Sequence, residues 1–216
     1  MLSYEPGKQC CILDTNSLLF LSQVEIGSIS AIEWILQDFT MAIPKIVFDD
    51  GKLNIPDEND ELRSLFFRKI QPTISYVSDY FVDNISKLTS HLEKKDQSNI
   101  DEGEKEALSL ALELSRSHKQ YVLLITDDLK AFGLLQKFVK DDQIGILINS
   151  FDLILFLASR HADQIPIASV PEAMKQLNYL WRNNSPDAPK YQEPDGLFLQ
   201  YESLIPKLSL GFPNEK

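Results

Sequence analysis

The chain has little with which to build a disulfide framework or a zinc site: two cysteines and three histidines in 216 residues. Cys10 and Cys11 are neighbours in a predicted strand, where successive side chains point to opposite faces, so they read as reduced, buried thiols. His91, His118 and His161 are scattered without ligand spacing, and neither cysteine has a histidine beside it, which argues against zinc chemistry and nucleophilic triads. The Gly-rich phosphate fingerprints are absent, which weakens nucleotide-cofactor readings. No apolar run reaches membrane-spanning length, and the start MLSYEPGKQC has neither a basic n-region nor a long apolar h-region. The expectation is a soluble, cytoplasmic protein with no membrane partner. Positive charge is also short, with 21 Lys and Arg against 32 Asp and Glu and a net charge of −11. That balance argues against a general basic coat for nucleic acid, so any such substrate must be held locally.

What is present is ordinary globular material, 44% hydrophobic and 25% charged, enough for one sizeable core with an appendage. Two short apolar runs stand out, Cys11 to Leu13 and Tyr121 to Thr126, each ending abruptly in acid. The first leads into Asp14, Thr15 and Asn16, the second into Asp127 and Asp128. Both read as buried parallel strands that deliver carboxylates at their C-terminal ends, the edge where open α/β sheets bind ligands.

Between and after these runs, strand and helix patterns alternate. Ser17 to Phe39 reads as two helices with a turn at Gly27 and Ser28, and Thr40 to Ile43 as a short strand. Gly51 to Asp60 reads as a polar loop and candidate flap, Glu61 to Ile70 as a helix, and Ile74 to Val77 as a short strand. Helices are expected over Ser78 to Lys94, Ile100 to Arg116, Leu129 to Val139 and Ser150 to Arg160, with a strand over Ile144 to Ile148. The alternation predicts an α/β fold, a three-layer α/β/α sandwich around a mainly parallel sheet. Residues 1–160 form the expected main domain. Residues 161–216 are an expected C-terminal extension: a helix opened by a capping box at Ser169 to Glu172, then an irregular arm with a short helix near Tyr201 to Leu204. Trp181, Phe198 and Tyr201 are the expected packing contacts of that extension, on the domain or on a partner.

The expected topology offers acids at several strand ends and helix starts: Asp14, Asp50 (or Asp49), Glu104, and Asp127 with Asp128. Hard divalent cations take oxygen ligands, and three or four carboxylates with open water positions suit an ion that activates water and neutralises a phosphodiester. Taken singly each acid has a plainer reading: Asp14 as an N-cap, Glu104 as a complement to a helix dipole, Asp50 as a loop residue. Asp101, Glu102, Glu106 and Asp152 read as solvated or capping acids.

The order of motifs resembles the PIN-domain nucleases, a family of metal-dependent ribonucleases. The likeness lies in ILDTNSLL around Asp14, IPKIVFDD leading to Asp50, DEGEKEALSLALE around Glu104, and LLITDDLKAFGLL around Asp127 and Asp128, and it spans roughly residues 8 to 160. The resemblance implies Mg²⁺ or Mn²⁺ held by Asp14, Glu104 and an acid of the pair Asp127 and Asp128, which as neighbours on a turn are not expected to face one ion equally. Asp127 is the favoured ligand, with Asp50 and Asp128 assisting. Pro44, Val47 and Asp50 keep the family's spacing but shorten its usual Glu. Asn16 matches the polar residue that steadies the first loop, and Thr126 the hydroxyl residue before the last acid. Arg63, Arg68, Lys69 and Lys130 are the expected phosphate contacts near the mouth.

The implied activity is hydrolysis of RNA. Its commonest setting is a toxin restrained by a small antitoxin protein, although this chain is longer than such toxins; a homodimer is compatible with the same reading. The alternative is an inactive scaffold of the same fold, binding a protein partner through its acidic cleft. A haloacid-dehalogenase fold also opens with Asp after a strand, but its second Asp is Asn16 here.

Overall fold

In the computed structural model, residues 9–96 and 100–184 are described. Four parallel strands form the central sheet in the order β4-β1-β7-β8: β1 (Gln9–Leu13), β4 (Phe39–Met41), β7 (Val122–Ile125) and β8 (Gly145–Ile148). The short apolar runs lie in the middle because they can be buried on both faces. Cys10, Cys11, Ile12 and Leu13 are each 0% exposed, and burying a side chain the size of Ile12 or Leu13 contributes about 1.5–3 kcal/mol.

Alternation along β1 divides the interior into two layers. Cys11 and Leu13 face one cluster, shared with α1 (Thr15–Gln23), α2 (Ala31–Asp38), α8 (Ser150–Arg160) and α9 (Ser169–Asn184). Cys10 and Ile12 face the other, shared with α5 (Asp79–Asp96), α6 (Glu102–His118) and α7 (Leu129–Asp141). The protein is thus an α/β sandwich of three layers, as the alternation of patterns predicts. Helix α9 belongs to the first layer: Val170, Ala173, Met174, Leu177 and Trp181 share its core. Phe198, Tyr201 and the short helix expected near them lie outside the described residues. Among the described residues no helix is long and apolar enough to cross a membrane.

Several local expectations change. The turn at Gly27 and Ser28 is a two-residue hairpin between β2 (Glu25–Ile26) and β3 (Ile29–Ser30), not a helix-helix turn, and Gly27 takes φ +72°, a backbone state that favours glycine. The polar loop expected from Gly51 starts later, because α3 (Lys45–Leu53) runs through it. Gly51 is kept in that helix by close packing: a Cβ there would meet the Phe66 ring at 3.0 Å. The helix expected over Glu61 to Ile70 is α4 (Asp60–Leu65) followed by a π-helical turn, Phe66–Ile70. A two-residue parallel pair, β5 (Ile43–Pro44) with β6 (Ile74–Ser75), completes the strands. Ser169, expected to cap α9, is its first residue, and its hydroxyl donates to the Pro166 carbonyl at 2.7 Å.

Candidate functional site

Strands β1 and β7 are paired in register from Cys10 with Val122 to Leu13 with Ile125, so the residues that follow them leave the sheet side by side. Asp14 donates its backbone N–H to the Ile125 carbonyl at 3.0 Å and becomes the N-cap of α1. Its Oδ1 accepts the Ser17 N–H at 2.7 Å; its Oδ2 accepts the Thr126 hydroxyl and, at 3.2 Å, the Asp127 N–H. The carboxylate is 5% exposed. Burial, and next the charge of Asp127, push its pKa up, against smaller opposing effects from Thr126 and Ser17.

Glu104 reaches the same edge from α6. Asp101 caps that helix, accepting the Glu104 N–H at 2.8 Å, while Glu104 Oε2 accepts the Asp101 N–H at 3.1 Å. This reciprocal capping box satisfies two helix-end donors and holds the Glu104 side chain back along the first turn. Burial, and after it the charges of Asp101, Asp128 and Asp14, raise the Glu104 pKa to about 9. The residue is 5% exposed.

The adjacent acids after β7 diverge. Asp127 is 3% exposed and turns toward the starts of α1 and α8: Oδ1 accepts the Ser150 N–H at 2.8 Å, and Oδ2 accepts the hydroxyls of Ser17, at 2.9 Å, and Ser150. Burial raises its pKa, with the Ser150 and Ser17 bonds opposing. Asp128 lies on the Glu104 side, donates its N–H to Thr126 Oγ1 at 3.2 Å, and accepts the Ala131 N–H at 3.0 Å. Asp50 is half-buried in α3; burial, then Asp101 and Asp49, raise its pKa. Asp49 is ion-paired with Lys45 on the surface.

Asp14, Glu104 and Asp128 are thus electrostatic neighbours, Asp127 flanks Asp14 on its other side, and Asp50 joins through Asp101. Asn16 is exposed in the first turn of α1. Of the expected phosphate contacts, Arg63 pairs with Asp57, Lys69 pairs with Glu33 at 3.4 Å, and Arg68 is exposed; the Lys130 side chain lies outside the description. Sequence reasoning missed Ser17 and Ser150, both 0% exposed. The available signal was a hydroxyl residue shortly after each strand's end.

Four helices begin around these acids, and the partial positive charge of their first turns offsets part of the repulsion. Among the described residues no Lys, Arg or His forms an ion pair with Asp14, Glu104 or Asp127. The donors are all carboxylate and hydroxyl oxygens, which in kind fit a hard divalent cation. They are not gathered: among the described residues no three His, Cys, Asp or Glu side chains stand in a position to hold a metal ion. Comparison of the chain with protein-family models, curated proteins and solved structures found no match in any of the three.

Proposed function

We propose that the protein is a Mg²⁺- or Mn²⁺-dependent ribonuclease of the PIN kind that its motifs resemble. The observation that carries the reading is the pair of buried acids, Asp14 and Glu104, each 5% exposed and with raised pKa, at the C-terminal edge of the two central strands. Carboxylates crowded in this way without an ion-paired cation are costly to the fold, and such a cost is commonly retained for function. Asp14, Glu104 and one acid of the pair Asp127 and Asp128 would hold the ion, with Asp50 at the margin. When bound, the ion would supply a water of lowered pKa and positive charge to meet the phosphodiester.

The chain's own residues prepare that state. Thr126 and Ser17 aim the two oxygens of Asp14, and the capping box stores the Glu104 carboxyl at the first turn of α6. Glu104, with a pKa near 9, carries a proton at neutral pH in the metal-free protein and must release it to ligate. A small protein that restrains the enzyme remains part of the proposal, and so does self-association.

The inactive scaffold is the second reading. The observation that favours it is that both oxygens of Asp14 and both of Asp127 already accept hydrogen bonds within the fold. Incubation of the purified protein with assorted RNAs, with and without Mn²⁺, separates the two. Metal-dependent cleavage that disappears in Asp14→Asn supports the enzyme; cleavage that survives the substitution sinks the mechanism, and no cleavage by the wild type favours the scaffold.

A further inference from the structure

We propose that Asp127 is a positioning residue that fixes Asp14 through Ser17 and its own backbone, while its side chain stays outside the reacting set. The inference rests on the metal-dependent reading above for its functional consequence, and on hydrogen-bond geometry for its substance.

A carboxylate oxygen has two lone pairs in its plane. Asp127 Oδ2 spends both on hydroxyls, those of Ser17 at 2.9 Å and Ser150, and Oδ1 accepts the Ser150 N–H at 2.8 Å. These donors come from two helices far apart in the chain, Ser17 in the first turn of α1 and Ser150 at the head of α8. The side chain therefore ties both helix starts to the end of β7. With 3% of its surface exposed, it has three of its four lone pairs taken by protein donors.

Ser17 is the transmitting residue. Its hydroxyl donates to Asp127 Oδ2 while its N–H donates to Asp14 Oδ1 at 2.7 Å. The Asp127 N–H meanwhile donates to Asp14 Oδ2 at 3.2 Å. Each oxygen of Asp14 is thus contacted by a group that Asp127 holds in place. Asp128 shares none of this set: it bonds Thr126 and Ala131, and its charge is felt by Glu104.

The arrangement makes an unusual prediction about the conservative substitution. In Asp127→Asn the amide oxygen keeps the Ser150 N–H, and the amide nitrogen offers two hydrogens to the same two serine hydroxyls, which accept as readily as they donate. A positioning residue is thereby rescued, whereas a ligand that must supply negative charge is not. The measurement is Mn²⁺ binding by titration calorimetry, read as the concentration at half-saturation, together with RNA cleavage, for wild type, Asp127→Asn, Asp127→Ala, Asp128→Asn and Asp14→Asn.

Asp127→Asn is expected to keep both responses with a half-point within about tenfold of wild type, and Asp127→Ala to weaken it by about 10–100-fold, the range for partners that orient ligands. Loss of the Mn²⁺ response in a folded Asp127→Asn, matching Asp14→Asn, would overturn the inference. A second measurement does not depend on metal: a double-mutant cycle on unfolding for Asp127→Ala and Ser17→Ala. Clear coupling supports the tie, and additive effects overturn it. If the wild type shows neither Mn²⁺ response nor cleavage, the ribonuclease reading fails, and this cycle alone decides whether Asp127 holds Ser17.

Discussion

Thr126 donates its hydroxyl to Asp14 Oδ2 across 112 residues of sequence, and the same oxygen of Thr126 accepts the Asp128 N–H at 3.2 Å. One side chain thus links the acids that follow the two central strands. A hydrogen bond to the charged form favours it, so this bond lowers the proton affinity of a carboxyl that burial raises. Thr126→Val keeps the shape and removes the donor. The expected result is a Mn²⁺-induced rise in melting temperature that requires higher pH than in wild type. A response with unchanged pH dependence would show that Thr126 only packs.

Glu104 gives the fold a pH dependence of definite sign. Its folded pKa is raised from 4.5 to about 9, so the folded state binds the proton more tightly than the unfolded chain. That contribution to stability is complete below pH 4.5 and is lost as pH rises toward 9. Asp14 and Asp127 shift in the same direction. Urea denaturation in the presence of chelator should therefore show a midpoint that falls over this range, and Glu104→Gln should flatten the fall. A wild-type midpoint that climbs with pH would contradict the burial of an uncompensated acid.

The elements around these residues were legible in sequence because a short apolar run that stops in acid has few other readings. Cys11 to Leu13 ends where β1 ends, and Tyr121 to Thr126 ends one residue beyond β7. That adjacent Asp127 and Asp128 diverge was legible from the turn; which of them turns inward was not, because it depends on Ser17 and Ser150, which reach the first of the pair only after α1 and α8 have packed. Gly51 misled in the other direction. It usually marks a loop, but here it makes room in a helix for the Phe66 ring, a contact between segments that local pattern does not contain. The hairpin at Gly27 is similar: its strands have two residues each, too short for any periodicity.

Two glycines of nearby sequence should respond oppositely to alanine. A Cβ on Gly145 would stand 1.8 Å from the Val122 carbonyl oxygen, where β8 pairs with β7, so strand or backbone must move. Gly145→Ala should cost about 3 kcal/mol or more, the scale of severe overpacking. Gly133 lies within α7 with nothing inside 4 Å of its Cβ position. Gly133→Ala should stabilise by about 1 kcal/mol through helix propensity. Chemical denaturation of both variants checks the pair.

On the far side of the first layer, Asp38 joins the end of α2 to the end of α8. It accepts from Arg160 Nε at 2.9 Å and lies 2.9 Å from His161 Nε2, whose ring is 4.7 Å from that of Trp34. The Asp38 side chain is 8% exposed and that of Arg160 55%. Asp38→Ala should therefore cost more, about 3 kcal/mol for leaving a buried cluster without its acceptor, than Arg160→Ala at about 1 kcal/mol or less. Equal costs in thermal or urea unfolding would assign the stability to the exposed arm instead.

Cys10 and Cys11 occupy one strand and two separate interiors, each 0% exposed, with burial raising both thiols and taking Cys10 to about 12. Neither can react with a thiol reagent until the layer covering it opens. The two sulfurs therefore serve as built-in clocks for separate events. In a Cys11→Ala background, labelling times the departure of α5, α6 or α7; in a Cys10→Ala background, it times the opposite layer. A shared rate would mean that the sheet loses both covers in a single cooperative step.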